Sequence, residues 1–131
     1  MNAIYLNNTT PVNVSPDSVI PVSVVHRAGQ FIIWMGNVAN IVKPGYYKIT
    51  ATVTCSAQEA DDVTITVQKN GVNIPGFTAT ETISTANTVI RTLTVQGMIK
   101  ILCHEGPASI TLFNDSDVEI SVTNASMIID N

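Results

Sequence analysis

This chain has little charge. Only 12% of its 131 residues are Asp, Glu, Lys or Arg, about half the usual share. Six are Lys or Arg, scattered rather than clustered, and the net charge is −4 at pH 7. Without a basic footprint, nucleic acid is excluded as a partner. Aromatics amount to 5%, with a single Trp. Two cysteines cannot build a disulfide framework. Cys55 and Cys103 each end an apolar, strand-like run, and both are expected as buried free thiols. No apolar run has the length of a membrane-crossing helix, so no membrane is expected as a partner. The opening Met1-Asn2-Ala3-Ile4-Tyr5-Leu6-Asn7-Asn8 has no basic n-region and no long apolar core, which points to synthesis and folding in a cytoplasm.

The patterns that carry chemistry are missing as well. Cys103-His104-Glu105 together with Cys55 invites a zinc reading, but neither Cys-x-x-Cys nor His-x₃₋₅-His spacing is present. His26 and His104 are expected as polar residues near turns. No Ser or Cys stands in a nucleophile-elbow context. No catalytic residue, no cofactor and no enzyme activity are expected. Matches to the glycosylation sequon, among them Asn8, Asn13 and Asn124, are chance in a chain this rich in Asn, Ser and Thr.

What the chain has in quantity is β-formers. Thr, Val and Ile make up more than a third of it, and branching at Cβ suits a pleated surface better than a helix. The sharpest local signal is Asn70-Gly71, set between the alternating runs Val63–Lys69 and Val72–Gly76. Both central positions of a tight hairpin need positive φ, which Asn and Gly tolerate best. Tyr46 to Cys55 is the cleanest strand. Tyr47, Ile49, Ala51, Val53 and Cys55 should point one way, and Lys48, Thr50, Thr52 and Thr54 the other. Val89 to Cys103 is long enough to bend, with Gly97 as the natural bulge. Thr123-Asn124 is expected to turn the chain between strands at 118–122 and 125–130. Residues 1–20 are loosely patterned and broken by Pro11 and Pro16, leaving Ile4–Leu6 and Val12–Val14 as short edge strands. About ten short strands with regular turns imply an all-β sandwich or barrel. With no linker, repeat or low-complexity tail, residues 1–131 are expected to form one domain.

Three stretches together resemble a known family. Lys43-Pro44-Gly45-Tyr46-Tyr47-Lys48-Ile49-Thr50-Ala51-Thr52-Val53 is similar to the P-G-x-Y-x-I-x-A-x-V strand of jelly rolls related to tumour necrosis factor and the complement globular head. Val67 to Gly76, containing Asn70-Gly71 and Ile74-Pro75-Gly76, resembles the hairpin of their bacterial and phage members. Ile110 to Asn114, followed by Asn124-Ala125-Ser126-Met127-Ile128-Ile129, resembles their last two strands. The likeness covers residues 31–130 in the same order. It implies a ten-stranded antiparallel jelly-roll sandwich assembled as a homotrimer. The chain has no Gly-X-Y tract and no heptad stalk, so it is most similar to the short phage type. That likeness implies a virion structural protein: a capsid decoration or head fibre, with capsid or other virion proteins as partners. The alternative is a trimeric receptor- or glycan-binding head on a phage fibre or bacterial surface, with a host-surface glycan as ligand.

Assembly around a three-fold axis needs strands with two apolar faces, one for the core and one for a neighbour. Phe31, Ile33, Trp34, Met35, Met127, Ile128 and Ile129 meet that pattern, and Tyr46 joins them opposite the core-facing Tyr47. Trp34, flanked by apolar residues, is expected in a core or an interface rather than as a sugar platform. Two acidic loops, Glu59/Asp61/Asp62 and Asp115/Asp117/Glu119, carry the oxygen ligands a calcium site would use, and are expected as solvated turn carboxylates.

Overall fold

The computed structural model describes residues 1–36 and 38–131. Its regular structure among those residues is entirely β. In chain order the strands are β1 (Ala3–Asn8), β2 (Val12–Val14), β3 (Ser18–Val19), β4 (Ser23–Ala28), β5 (Ile32–Met35) and β6 (Val38–Ile41). They continue with β7 (Gly45–Ala57), β8 (Asp61–Lys69), β9 (Val72–Ile83), β10 (Arg91–Ile101), β11 (Ala108–Asn114) and β12 (Ile120–Asp130). Two six-stranded sheets result. The first runs β10-β7-β12-β1-β4 with β2 beside β12; the second runs β5-β6-β11-β8-β9 with β3 beside β11. Neighbours pair antiparallel throughout. The sandwich is a jelly roll, with twelve strands where about ten were expected.

The alternation of β7 holds without exception. Tyr47, Ile49, Ala51, Val53 and Cys55 are all buried, while the residues between them stay at least partly open. They meet Ile65, Val67, Ile110 and Leu112 from the second sheet in one hydrophobic cluster. Each fully buried Ile or Leu contributes roughly 1.5–3 kcal/mol. Asn70 and Gly71 have φ of 54° and 80°, and Lys69 pairs with Val72 across them. The tip of this hairpin is also pinned to β11: Asn70 N–H donates to the Ser109 carbonyl, and Ser109 N–H donates to Asn70 Oδ1.

Four expectations need correction. First, β1 is not an edge strand, because it lies between β12 and β4. Asn2 anchors its start: Oδ1 accepts the N–H groups of Gln30 and Phe31 at 3.1 and 3.2 Å, joining the β4–β5 turn to the chain start. Second, Thr123-Asn124 is no turn. The strand β12 runs through it with a register shift between Val122 and Asn124, so a bulge stands where two strands were expected. Third, Gly97 is no bulge, since β10 pairs with β7 in unbroken register. Its missing side chain makes room for Phe77, as an added Cβ would lie 2.7 Å from Phe77 Cζ. Fourth, Cys103 is exposed, and only Cys55 is buried.

Phe77 reaches Gly97 because β9 is bulged. Thr66 faces Thr78 and Gln68 faces Asn73, so residues 74–77 sit opposite Val67 alone. Pro75, which has no N–H to give a ladder, is tolerated in such an excursion. The excursion drives the Phe77 ring to 3% exposure and closes the side of the sandwich between β9 and β10.

Candidate functional site

The broadest candidate is the outward face of the first sheet. Strand registers fix its rows. Gln96, Thr50, Ile128, Tyr5 and His26 form one row across β10, β7, β12, β1 and β4. Thr94, Thr52, Ser126, Asn7 and Ser23 form the next. On the other side of the first row, Met98, Lys48, Asp130 and Ala3 are aligned. One half of the face is thus hydroxyl and amide, and the other half carries the large apolar groups.

The hydroxyl half is internally bonded. Thr52 and Thr94 hydroxyls lie 3.3 Å apart, and those of Thr54 and Thr92 lie 3.0 Å apart. Hydroxyls already paired with each other lose less on leaving water than free ones. The apolar half exposes Met98 at 64%, Tyr46 at 58% and Ile128 at 45%. Tyr5 stacks on His26 with ring centroids 6.5 Å apart and planes 18° apart. Beside them a shallow cavity of about 260 Å³ is lined by Ala3, Tyr5, His26, Arg27 and Ile128. Lys100 Nζ stands 5.4 Å from the centre of the Tyr46 ring, a cation–π distance. In a face this wide, the formal charges from these strands' central rows are Lys48, Lys100 and Asp130.

Of the eight residues expected at an interface, Tyr46 and Ile128 share this face. Ile33 and Met35 point outward from β5, at the edge of the other sheet, with Met35 at 66% exposure. Phe31 and Trp34 are half-buried and pack against the core. The Trp34 ring N–H is buried without an acceptor among the described residues. Met127 and Ile129 have to be withdrawn: both are wholly buried inside the subunit. Strand side chains alternate, so only Ile128 of that run faces outward. Tyr5, His26 and Met98 were missed. Tyr5 is legible as the odd residue between the core-facing Ile4 and Leu6, but only the pairing of β1 with both β12 and β4 puts it at the middle of a face.

The other candidate chemistries are not assembled. Among the described residues, no three His, Cys, Asp or Glu side chains come together as a metal set. Of the acidic candidates, Asp115 accepts a hydrogen bond from Asn73 Nδ2, and Asp62 Oδ1 accepts one from the Thr82 hydroxyl. Glu59, Asp61 and Asp117 are exposed, and Glu119 is half-buried. His104 and Cys103 are exposed in the β10–β11 turn. Burial pushes the Cys55 thiol up to about 11, which removes it as a nucleophile near neutral pH. Burial also raises Tyr47, whose hydroxyl donates to the Lys43 carbonyl at 2.8 Å. Glu105 is held below the usual carboxylate range by a hydrogen bond from Lys69 and by the Leu102 N–H.

No family model matches the sequence, and no curated protein matches it. Solved structures do match, over nearly the whole chain. A crystal structure of murine APRIL superposes with a TM-score of 0.73 at 13% identity, covering 99% of this chain and 98% of that one. The globular domain of zebrafish complement 1qA protein gives 0.70 at 7% identity, covering 99% and 96%. The PRD1 vertex protein P5 gives 0.53 at 14% identity, covering 99% and 97%. Identities this low speak for shape alone. The fold of this chain is the jelly roll of the tumour-necrosis-factor and complement-head domains.

Proposed function

We propose that this chain is a non-enzymatic structural protein of a phage particle, a homotrimeric jelly roll that decorates the capsid or forms a head fibre. The observation that carries the reading is the outward face of the first sheet. It is broad, sparsely charged, and offers Tyr46, Met98 and Ile128 beside hydroxyls already bonded to one another. The centres of protein interfaces are likewise depleted of charge and rich in aromatic and Met side chains. The likeness to a protein named for the vertex of PRD1 supports the virion setting.

A cyclic trimer cannot use one patch twice. Its contacts are heterologous, so the face of one subunit meets a different surface of the next. Two edges offer exposed apolar side chains for that role. One is β5, with Ile33 and Met35; the other is the β9–β10 side, with Val72 and Ile90. Trp34, half-buried against the core, gives little ring surface for a sugar to stack on, which favours the structural reading over the glycan-binding head.

Two measurements test the proposal. Sedimentation equilibrium should return three times the 14.0 kDa subunit mass. Mass spectrometry of purified phage particles should find the chain as a stoichiometric component. A monomer in solution sinks the assembly. A chain absent from particles but retained on a host-glycan array replaces the structural role with the receptor-binding one.

A further inference from the structure

Charge is divided between the two ends of the sandwich. The β4–β5, β6–β7, β8–β9 and β10–β11 connections gather at one end, as the strand registers require. Arg27, Lys43, Lys48, Lys69 and Lys100 all lie in that half: Arg27 faces Ile4, Lys48 faces Met98 and Asp130, Lys69 faces Val72, and Lys100 faces Tyr46. Against these five of the chain's six cations stand only Glu105 and Asp130 among the described residues. The β7–β8 and β11–β12 connections mark the opposite end. The first brings Glu59, Asp61 and Asp62, and the second brings Asp117 and Glu119, with Asp115 set back from the end by its bond to Asn73. Asp17 flanks them in the β2–β3 turn, and Glu81 flanks them opposite Val63. Arg91 is the one cation there among the described residues, facing Cys55.

The basic end also has relief. A groove of about 410 Å³ lies between the β8–β9 hairpin and the end of β10, lined by Lys69, Val72, Asn73, Ile74, Met98 and Lys100. Glu105 neutralises Lys69, whereas Arg27, Lys43, Lys48 and Lys100 are exposed.

We propose that copies of this protein stack end to end, with the basic end of one assembly seated on the acidic end of the next. The basic end is the receiving surface, and the turns carrying Glu59 and Asp117 are what it receives. Both signs are supplied by the same chain at opposite ends, so a second copy presents the required complement of charge. The contact is heterologous and leaves a free end of each sign, so it repeats as a file rather than closing. Acidic ends repel each other, which selects the head-to-tail orientation. Salt sets the range. At about 0.1 M the screening length is about 10 Å, so contacting charges attract while the like net charges of whole bodies are largely hidden. At about 1 M it falls to about 3 Å, and the attraction is lost. This stacking is additional to the trimer: Lys48 and Lys100 lie where the end of the sandwich meets the outward face of the first sheet, whereas Lys43 and Lys69 lie at the β6–β7 and β8–β9 connections.

The test is sedimentation velocity of the full chain over a concentration series at both salt levels. Wild type should form integer multiples of its basic unit at about 0.1 M salt and return to one unit at about 1 M. A basic-end variant, Lys43→Glu with Lys69→Glu, should weaken stacking at least about tenfold, since both positions turn from basic to acidic. An acidic-end variant, Glu59→Lys with Asp117→Lys, should do the same. Mixed in equal amounts, the two variants should pair again, because the untouched basic end of one meets the untouched acidic end of the other. The unit mass at high salt reports the trimer separately, so failure of either proposal is distinguishable. A wild type that stays one unit at every concentration at the lower salt overturns the stacking. So do variants that stack undiminished, or a mixture that does not recover. Retention of wild type on polyglutamate without self-association also overturns it, and assigns the basic end to a foreign acidic partner.

Discussion

Phe77 and Gly97 behave as one structural unit. The ring fills the space a side chain at 97 would take, and it does so at the open side of the sandwich, where no strand pairing closes the core. Gly97→Ala is therefore expected to destabilise the fold by about 1–3 kcal/mol through overpacking. Phe77→Ala should cost about 3–5 kcal/mol by leaving a void. Urea unfolding measures both, and an unchanged midpoint for Gly97→Ala would refute the close approach. Asn114 plays a comparable part with polar atoms: its amide donates to the carbonyls of Val14, Ser15 and Val118, and its oxygen accepts the Ser116 N–H. The two thiols differ for the same reason of burial. A thiol reagent near neutral pH should label Cys103 alone in the native protein and both cysteines after denaturation; native labelling of Cys55 would contradict its 0% exposure. Glu105 adds a pH dependence. Its folded-state pKa is lowered, first by the Lys69 hydrogen bond, so the contact contributes stability above the ordinary carboxylate value of about 4.3 and loses it as pH falls through the folded value. Glu105→Gln should lower the melting temperature near neutral pH and converge with wild type in acid.

At the level of strands, what could be read in advance depended on whether one face was buried and the other wet. The strand β7 meets that condition along its length, so its alternation was unambiguous. The strand β12 meets it too, but a bulge inserts a residue after Val122 and shifts the phase. Thr-Asn at that point then looks like a turn, because turn and bulge use the same residue types. The strand β1 was misplaced because prolines follow it closely, yet they lie beyond its end at Asn8 and never enter the ladder. A glycine in a strand has two explanations, a bulge or a close neighbour, and only the partner's position decides between them. For Gly97 that partner is Phe77, twenty residues away and brought there by a bulge whose size local pattern does not reveal. The Asn70-Gly71 turn was legible because its chemistry is local. Gly71→Val puts a β-branched residue at φ 80° and should destabilise by at least about 1–2 kcal/mol. Because the tip also bonds to Ser109, the loss should extend to β11, which amide exchange at Ser109 would register.

For the molecule as a whole, the rule that doubly apolar strands mark an interface gathered outward and inward residues together. It found Tyr46 and Ile128 on one face, but it also gathered Met127 and Ile129, which spend their surface on the subunit's own core. Composition suggested that something must cover this chain; only the sheet order shows which face is wide enough. That difference makes the assembly testable by paired variants. Ile128→Glu places a carboxylate on the outward face, where the isolated subunit leaves it in water. The fold should survive, while a buried and unpaired charge at a trimer contact costs about 3–5 kcal/mol and dissociates it. Met127→Glu, one residue away, directs the same charge into the core and should prevent folding altogether. Met35→Glu and Val72→Glu then identify the surface that receives the face: whichever lowers the mass in sedimentation without changing the circular dichroism marks the partner edge. A trimer that tolerates Ile128→Glu at unchanged stability would remove the first sheet's face from the interface, because a charge at the centre of a tightly packed, water-free contact has no means of escape.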